Sequence, residues 1–427
     1  MKKLDFLSTL FVGIDVSSKS NVVCALDFSS NKLLDFSVSN NHPGALDMAQ
    51  KLYNFLTINP KFKTVIFALE STSIYSIHIA NFLSSHEQLL PFQPYVYCLN
   101  PKMIANYRKS FIAMDKTDPL DAFVIADFAR VGRINTQPWR GSQFLALQRL
   151  TRHRLHLVES LTREKTYMVS NMFLKFSELA ILEDSERPFA TNYGATASAV
   201  LTEFLSTEDI VTMPIESLVN FLCEKGKNRF TDPNHTASLL KQAARNSYRL
   251  DQCLYEPLTI SLASSFNCIS AYETEIKSID KAIEKAIKGL NPNEYQSLLS
   301  IPGIGPVYAG GILSEIGTVS AFTSQEAIAK YAGLVWRQTQ SGNFKADDTK
   351  LSKAGNRYLR YYLIEAANSV KNHIPEYTDF YHKKFSEVKT HQHKRALALT
   401  SRKLIRLIFG LLANHQLYSA NRVNQIP

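Results

Sequence analysis

An apolar run that ends in one carboxylate sets the terms for the first part of this chain. Residues Phe11-Val12-Gly13-Ile14-Asp15-Val16-Ser17-Ser18 read as a strand and a turn, and Asn21-Val22-Val23-Cys24-Ala25-Leu26-Asp27 as a second strand. A carboxylate in such a strand is costly to bury unless hydrogen bonds or a cation satisfy it. Asp15 therefore either caps the turn or stands at a sheet edge and holds a metal. Which of the two holds depends on whether other carboxylates converge on the same place.

The residues that follow supply them. A third strand, Lys32-Leu33-Leu34-Asp35-Phe36-Ser37-Val38, follows a Ser-Ser-Asn turn, and His42-Pro43-Gly44 opens a helix to about Leu56. Thr64-Val65-Ile66-Phe67-Ala68-Leu69-Glu70 is a buried-type strand ending in a second carboxylate. A helix over 74–83 and a short strand over 95–99 come next. Three strands, a helix, then strand–helix–strand is the order of a ribonuclease-H-like, or RuvC-like, α/β domain. In open α/β sheets, ligands gather at the carboxyl ends of strands, where Asp15 and Glu70 both fall.

Lys116-Thr117-Asp118-Pro119-Leu120-Asp121-Ala122 begins a helix extending to about Val131. Asp118 suits the N-cap, Pro119 the first helical position and Asp121 the third, so capping alone accounts for both aspartates. Their i, i+3 spacing also sets both carboxylates on the first turn. With Asp15 and Glu70 they make four hard oxygen ligands with no His or Cys, a set suited to Mg²⁺ or Mn²⁺. The order Asp, Glu, Asp-x-x-Asp favours the metal reading.

The chain has 427 residues and a net charge of +10, enough length for two or three domains and a balance that points to a polyanionic partner. The charge is uneven: 14 basic and 11 acidic groups over 1–140, 17 and 19 over 141–300, and 17 and 8 over 301–427. The C-terminal third is therefore the expected polyanion-binding surface. Five scattered cysteines without a C-x-x-C pair fit a reducing cytoplasm and argue against disulfides and structural zinc. No signal peptide is expected at the N-terminus, and no apolar run is long enough to span a bilayer.

Residues 143–176 read as one long helix carrying Arg149, Arg152, Arg154, Arg163 and Lys165. Residues 177–265 are less periodic, punctuated by Pro188, Pro214, Pro233 and Pro257. Ile269, Tyr272, Ile276, Ile279, Ile283 and Ala286 follow at 3-4-3-4-3 spacing, a coiled-coil seam of about three heptads whose partner is the 143–176 helix, another subunit or its own domain. Ile301-Pro302-Gly303-Ile304-Gly305 between two apolar helical stretches resembles a helix-hairpin-helix, whose glycines let backbone N–H groups approach a phosphate. Basic, glycine-bearing loops lie downstream. The expected nucleic-acid contacts are Gly303, Gly305, Lys353, Asn356, Arg357 and Arg360.

These motifs together resemble the insertion-sequence-110 family of transposases, the DEDD-type, bridge-RNA-guided recombinases. The resemblance rests on Gly13-Ile14-Asp15, Leu69-Glu70 and Lys116 to Ala122 in the first half. In the second half it rests on Ile301-Pro302-Gly303-Ile304-Gly305, Tyr331-Ala332-Gly333-Leu334, Gln340-Ser341-Gly342 and Ser352-Lys353-Ala354-Gly355-Asn356 with Leu359-Arg360. It implies a RuvC-like domain over 1–140, a helical coiled-coil region with an insertion over 141–295, and a mainly helical C-terminal transposase domain over 296–427. It implies Asp15, Glu70, Asp118 and Asp121 as metal-holding catalytic carboxylates and Ser341 as the nucleophile. Its implied partners are donor and target DNA and a guide RNA encoded by the element. Two strands to be exchanged need separate sites, so a homo-oligomer, dimer or tetramer, is expected in a bacterial or archaeal cytoplasm, at the nucleoid. The 177–265 segment departs from compact members. The competing readings are a RuvC-like endonuclease that uses water, and an inactive nucleic-acid-binding protein whose aspartates only cap helices.

Overall fold

The three N-terminal strands form as β1 (Thr9–Val16), β2 (Ser20–Leu26) and β3 (Lys32–Ser39), followed by α1 (His42–Ile58), β4 (Thr64–Glu70), α2 (Tyr75–Ser85) and β5 (Pro94–Leu99). The computed structural model describes residues 5–71, 74–111, 117–134, 137–183, 186–336, 340–341, 344–345 and 351–420, with the backbone alone at 340, 341, 344 and 345. Its chain divides into two compact units, Met1–Ala146 and Leu147–Pro427.

In the first unit the sheet order is β3-β2-β1-β4-β5. The β1–β2 and β2–β3 pairs are antiparallel, and the β1–β4 and β4–β5 pairs are parallel. Alternation splits each central strand between two cores. Val12, Ile14, Phe67 and Leu69 pack with Met48, Leu52 and Leu83 of α1 and α2 on one face. Phe11, Ile66 and Ala68 pack on the other with α3 (Pro101–Arg108) and α4 (Asp118–Arg130), through Ile104, Ile125 and Phe128. Helix α3 is an element the sequence reading leaves as a connection. Its signals are local: the Asn100 side chain accepts from the Lys102 amide at 2.9 Å, and Pro101 stands in the first turn.

Gly13 fixes how closely α4 approaches the sheet. A Cβ there would collide with the Ala122 carbonyl oxygen and the Ala126 amide nitrogen, and would stand 2.9 Å from Ala126 Cα. All of these are backbone atoms, so no side-chain rotation relieves the clash. Gly13→Ala is expected to destabilise the first unit by about 3 kcal/mol, read as a lower urea midpoint with an unchanged slope.

The second unit is helical. Helix α5 (Ser142–Lys175) and helix α11 (Gln252–Lys288) run antiparallel. Arg154 pairs with Asp280, Lys165 with Glu273 at 2.8 Å, and Lys175 bonds Thr259 at 2.6 Å. The predicted seam lies on α11, with Ile269 and Ile283 buried and Tyr272, Ile276, Ile279 and Ala286 half-buried. Between α5 and α11 stand α6 (Ser177–Ile181), α7 (Ala195–Glu203), α8 (Thr207–Thr212), α9 (Ile215–Lys225) and α10 (Pro233–Asn246), packed with Met168 and Met172 of α5 and Leu262 and Phe266 of α11 around a core that includes Phe176, Leu201, Leu218, Leu222 and Leu240. The prolines behave unequally. Pro214 and Pro233 sit at helix starts, as punctuation should. Pro257 lies inside α11, which begins well before the periodic seam. A proline near a helix start removes a single interior bond, to the Cys253 carbonyl, and the buried Leu262, Phe266 and Ile269 hold the helix beyond it.

Lys175 is buried where α5 meets this group, its Nζ donating to the Leu201 and Phe204 carbonyls at 2.8 Å each. Burial pushes its pKa down to about 8, against a smaller upward pull from Asp209. A lysine whose folded pKa lies below its unfolded value opposes folding while charged. The wild type should therefore gain stability relative to Lys175→Met as pH rises from about 8 towards 10.5. Urea midpoints of the two proteins across that range check this.

Next come α12 (Pro292–Leu299), α13 (Pro306–Ile316) and α14 (Gln325–Ala332), the short strands β6 (Gln340–Ser341) and β7 (Phe344–Lys345), and α15 (Arg357–Val370), α16 (Pro375–Ser386) and α17 (Gln392–Ala413). Leu298, Ile304, Ile312, Leu334, Leu359 and Ile408 share one core with Leu147 and Ile283. Among the described residues, no helix is long and apolar enough to cross a membrane.

Candidate functional site

Two of the candidate carboxylates, Asp15 and Glu70, stand at one edge of the sheet. Phe11 and Gly13 face α4, so alternation carries Asp15 to the same side; Ile66 and Ala68 do the same for Glu70. The last β1–β4 register pair is Ile14↔Leu69. Asp15 and Glu70 are the next residue on each strand, side by side at the carboxyl ends of two parallel neighbours. The contact of Gly13 with Ala122 brings the first turn of α4 over this edge, and Asp121 is the residue before Ala122.

The start of α4 differs by one residue from the sequence expectation. Thr117 occupies the N-cap, Asp118 is the first helical residue, and the cap makes no side-chain hydrogen bond. Capping therefore does not account for Asp118. Its side chain is exposed, while that of Asp121 is 17% exposed and ion-paired with Arg108 of α3. Among the described residues, no group of three or more His, Cys, Asp or Glu side chains is disposed to hold a metal ion. Asp15 and Glu70 share one sheet edge and one face, Asp121 lies on the first turn of the helix packed there, and all four carboxylates are hard oxygen donors of the kind Mg²⁺ and Mn²⁺ take. A guanidinium is the cation beside Asp121. Deeper in α4, the buried Asp127 accepts from Tyr107 Oη at 2.6 Å and Arg130 Nε at 2.8 Å, a structural role that the sequence reading missed.

In the second unit, the loop that carries Ser341 is held at its base by backbone. Helix α14 ends at Gly333 in the left-handed conformation, with Leu334 N–H donating to the Ala329 carbonyl at 2.8 Å. This is a Schellman closure, and it explains the glycine of Tyr331-Ala332-Gly333-Leu334. The following residues run against 351–356. Trp336 bridges Leu351, Ser352 N–H donates to Val335 O at 2.8 Å, Lys353 N–H to Gly333 O at 3.2 Å, and Asn356 N–H to Tyr331 O at 2.7 Å. Gly355 has φ +148°, and a Cβ on it would collide with the Tyr331 carbonyl oxygen. The two glycine motifs are thus halves of one backbone clasp. Beyond it, Ser341 pairs with Phe344 at the end of β6. Gly342 lies outside the described residues.

The expected nucleic-acid contacts divide by what they touch. Gly305 caps α13 and faces open space, whereas Gly303, with φ +97°, lies against Val370 and His373 of the α15 end. Lys353 is exposed in a left-handed conformation, and Arg357 is 55% exposed beside Glu159. Asn356 and Arg360 are turned inward. The Asn356 oxygen caps α15, accepting from Tyr358 N and Leu359 N at 3.0 Å each, and Arg360 donates to the Ala332 and Lys353 carbonyls at 2.9 and 3.0 Å.

Glu315, also missed, is buried in apolar α13 and accepts two hydrogen bonds from Arg152, at 2.8 and 2.9 Å. Burial acts against the charge on Arg152, but the Glu315 hydrogen bonds and charge outweigh it and raise its pKa. The signal was available: a lone carboxylate in an apolar run, as at Asp15.

Residues 12–176 match a family model described as a DEDD transposase of the IS110 type, and residues 295–382 match one described as a transposase of the IS116/IS110/IS902 family. Residues 177–294 fall outside both. A transposase for insertion sequence element IS1111A of Coxiella burnetii is 27% identical over 217 residues, 46% of this chain and 57% of that protein. A 44.8 kDa protein of insertion element IS116 of Streptomyces clavuligerus is 23% identical over 413 residues, 96% of each chain. A pilin gene-inverting protein of Moraxella lacunata is 28% identical over 185 residues, 42% of this chain and 57% of that protein.

Proposed function

Since this chain belongs to the IS110 family of transposases, we propose that it exchanges DNA strands through a covalent serine intermediate, guided by an RNA that its element encodes. It is a transposase, a recombinase of DNA. The observation that supports the finer reading is that each unit carries its own candidate chemistry. Asp15 and Glu70 end neighbouring parallel strands, Asp118 and Asp121 stand in the first turn of α4, and a serine follows a backbone clasp in the C-terminal unit. A water-using nuclease needs only the first.

In this reading the N-terminal sheet is a ribonuclease-H-like domain over 1–140. The α5–α11 pair is the coiled coil of the 141–295 region, and α12–turn–α13 is a helix-hairpin-helix in the 296–427 domain. Asp15, Glu70, Asp118 and Asp121 hold Mg²⁺ or Mn²⁺, which when bound neutralises charge on the scissile phosphate. The Ser341 hydroxyl oxygen attacks phosphorus. A phosphorus–oxygen bond of the DNA breaks, the strand end leaves as a hydroxyl, and a phosphoserine ester keeps the bond energy for rejoining. Attack by a hydroxyl of the other DNA partner reverses the step and frees the serine. Gly305, Lys353 and Arg357 are the contacts to phosphate. Acting on one phosphate, the serine of one chain works with the carboxylates of its own or another chain, and because opposite strands need separate sites a dimer or tetramer is proposed.

The test is incubation with a DNA carrying the element junction, the guide RNA and Mg²⁺, followed by a denaturing gel. A strand migrating with the protein is expected. Cut DNA without an adduct would establish the water mechanism instead, and neither product would leave a nucleic-acid-binding protein.

A further inference from the structure

We propose that Glu315 is a positioning residue that sets the base of the serine-bearing loop. Its carboxylate is fully buried in α13. Oε1 accepts from Arg152 Nε at 2.8 Å. Oε2 accepts from Arg152 Nη2 at 2.9 Å, Gln148 Nε2 at 3.2 Å and Asn356 Nδ2 at 2.7 Å. A carboxylate offers about four acceptor sites, so this one is saturated. Its partners come from two places distant in sequence: α5, and the residue that starts α15.

The bond to Asn356 reaches the loop. Asn356 also caps α15 through its oxygen, and its amide N–H holds the Tyr331 carbonyl. From there the clasp runs through Lys353, Ser352 and the Leu351–Trp336 bridge towards the strand of Ser341. The segment 351–356 belongs to no helix, and it contains a left-handed non-glycine residue, Lys353, and the positive-φ Gly355. Such conformations persist only where surrounding contacts over-determine them. Arg360 of α15 supplies one such contact, at the Lys353 carbonyl, and Glu315 supplies another from α13, at the Asn356 side chain.

A buried ion pair is weak evidence for stability, since well-packed apolar side chains often serve as well. An ion pair that also takes up a loop-base amide does something apolar packing cannot: it fixes an angle. The consequence for chemistry rests on Ser341 being the nucleophile; the anchoring itself does not.

The experiment compares the full-length wild type with Glu315→Gln and Asn356→Ser. The glutamine keeps the volume and loses the charge. The serine keeps a capping oxygen and loses the amide donor, and it leaves the Arg152 pair intact should the first variant fold poorly. Amides of Ser352, Lys353 and Asn356 are expected to exchange with deuterium at least about tenfold faster in both variants, with α12 and α17 unchanged. At saturating DNA, adduct formation should slow about tenfold or more while DNA affinity stays within about threefold. Unchanged exchange over 351–356 overturns the proposal. Faster exchange with an unchanged adduct rate also overturns it. If the wild type forms no adduct, the serine reading fails, and exchange alone decides the anchoring.

Discussion

Ser341→Ala is expected to remove the covalent protein–DNA adduct entirely and to lower strand exchange at least about a thousandfold, with DNA and RNA affinity kept within a few fold. The alanine loses only the hydroxyl oxygen. The β6–β7 pairing uses the backbone of residue 341, which the substitution leaves in place. A nucleophile absent from the reaction cannot be replaced by better positioning, so the loss is in the chemical step. Ser341→Cys is a useful companion, because a thiol is nucleophilic but gives a bridging sulfur–phosphorus (phosphorothiolate) linkage of different lability. An adduct surviving in Ser341→Ala would move the nucleophile elsewhere in the chain.

On the proposed assignment, Asp15→Asn and Asp121→Asn are expected to abolish strand cleavage with losses of about a thousandfold or more, because each would remove one anionic oxygen ligand from a site of hard donors. The change is isosteric, so packing should be kept at both positions. At Asp121 it also breaks the pair with Arg108, and that guanidinium then lacks its carboxylate. Titration calorimetry with Mn²⁺ separates binding from chemistry. Weakened Mn²⁺ binding is expected in both variants. Arg108→Ala should act in the opposite direction on binding, since it removes the cation that competes for Asp121. Cleavage by Asp15→Asn at the wild-type rate would end the carboxylate assignment.

The alternation of Phe11, Gly13 and Asp15 was legible in the sequence, because a two-residue period decides faces without any tertiary knowledge. The role of Gly13 was not, since a glycine in a strand does not announce which helix will press on it. The acidic pattern at 118–121 was read correctly as a helix start, and the capping residue was misassigned by one position because Thr117 and Asp118 are both good caps. In the second unit, glycine motifs that looked like generic turns are the two sides of one clasp, Gly333 against Gly355. Sequence spacing cannot reveal that, as the partners lie on either side of a long loop. The role of Glu315 is not legible from the sequence because its partners, Arg152, Gln148 and Asn356, lie far from it along the chain. The inward bonds of Asn356 and Arg360 escaped because polar residues in a basic loop look alike until their partners are seen.

The antiparallel course of α5 and α11 has an outcome for ancestry. Where Lys175 meets Thr259 the chain departs and returns at almost the same point. Everything between is a helical limb that shares its core with Met168 and Met172 of α5 and Leu262 and Phe266 of α11, and it lies outside the two matched family models. Such a graft can be lengthened, trimmed or exchanged over generations while the trunk stays put. A spliced version joining the two long helices by a short linker near 176 and 258 would bare Met168, Met172, Leu262 and Phe266, so it needs polar residues at those four positions to fold, and it would then report what the limb adds.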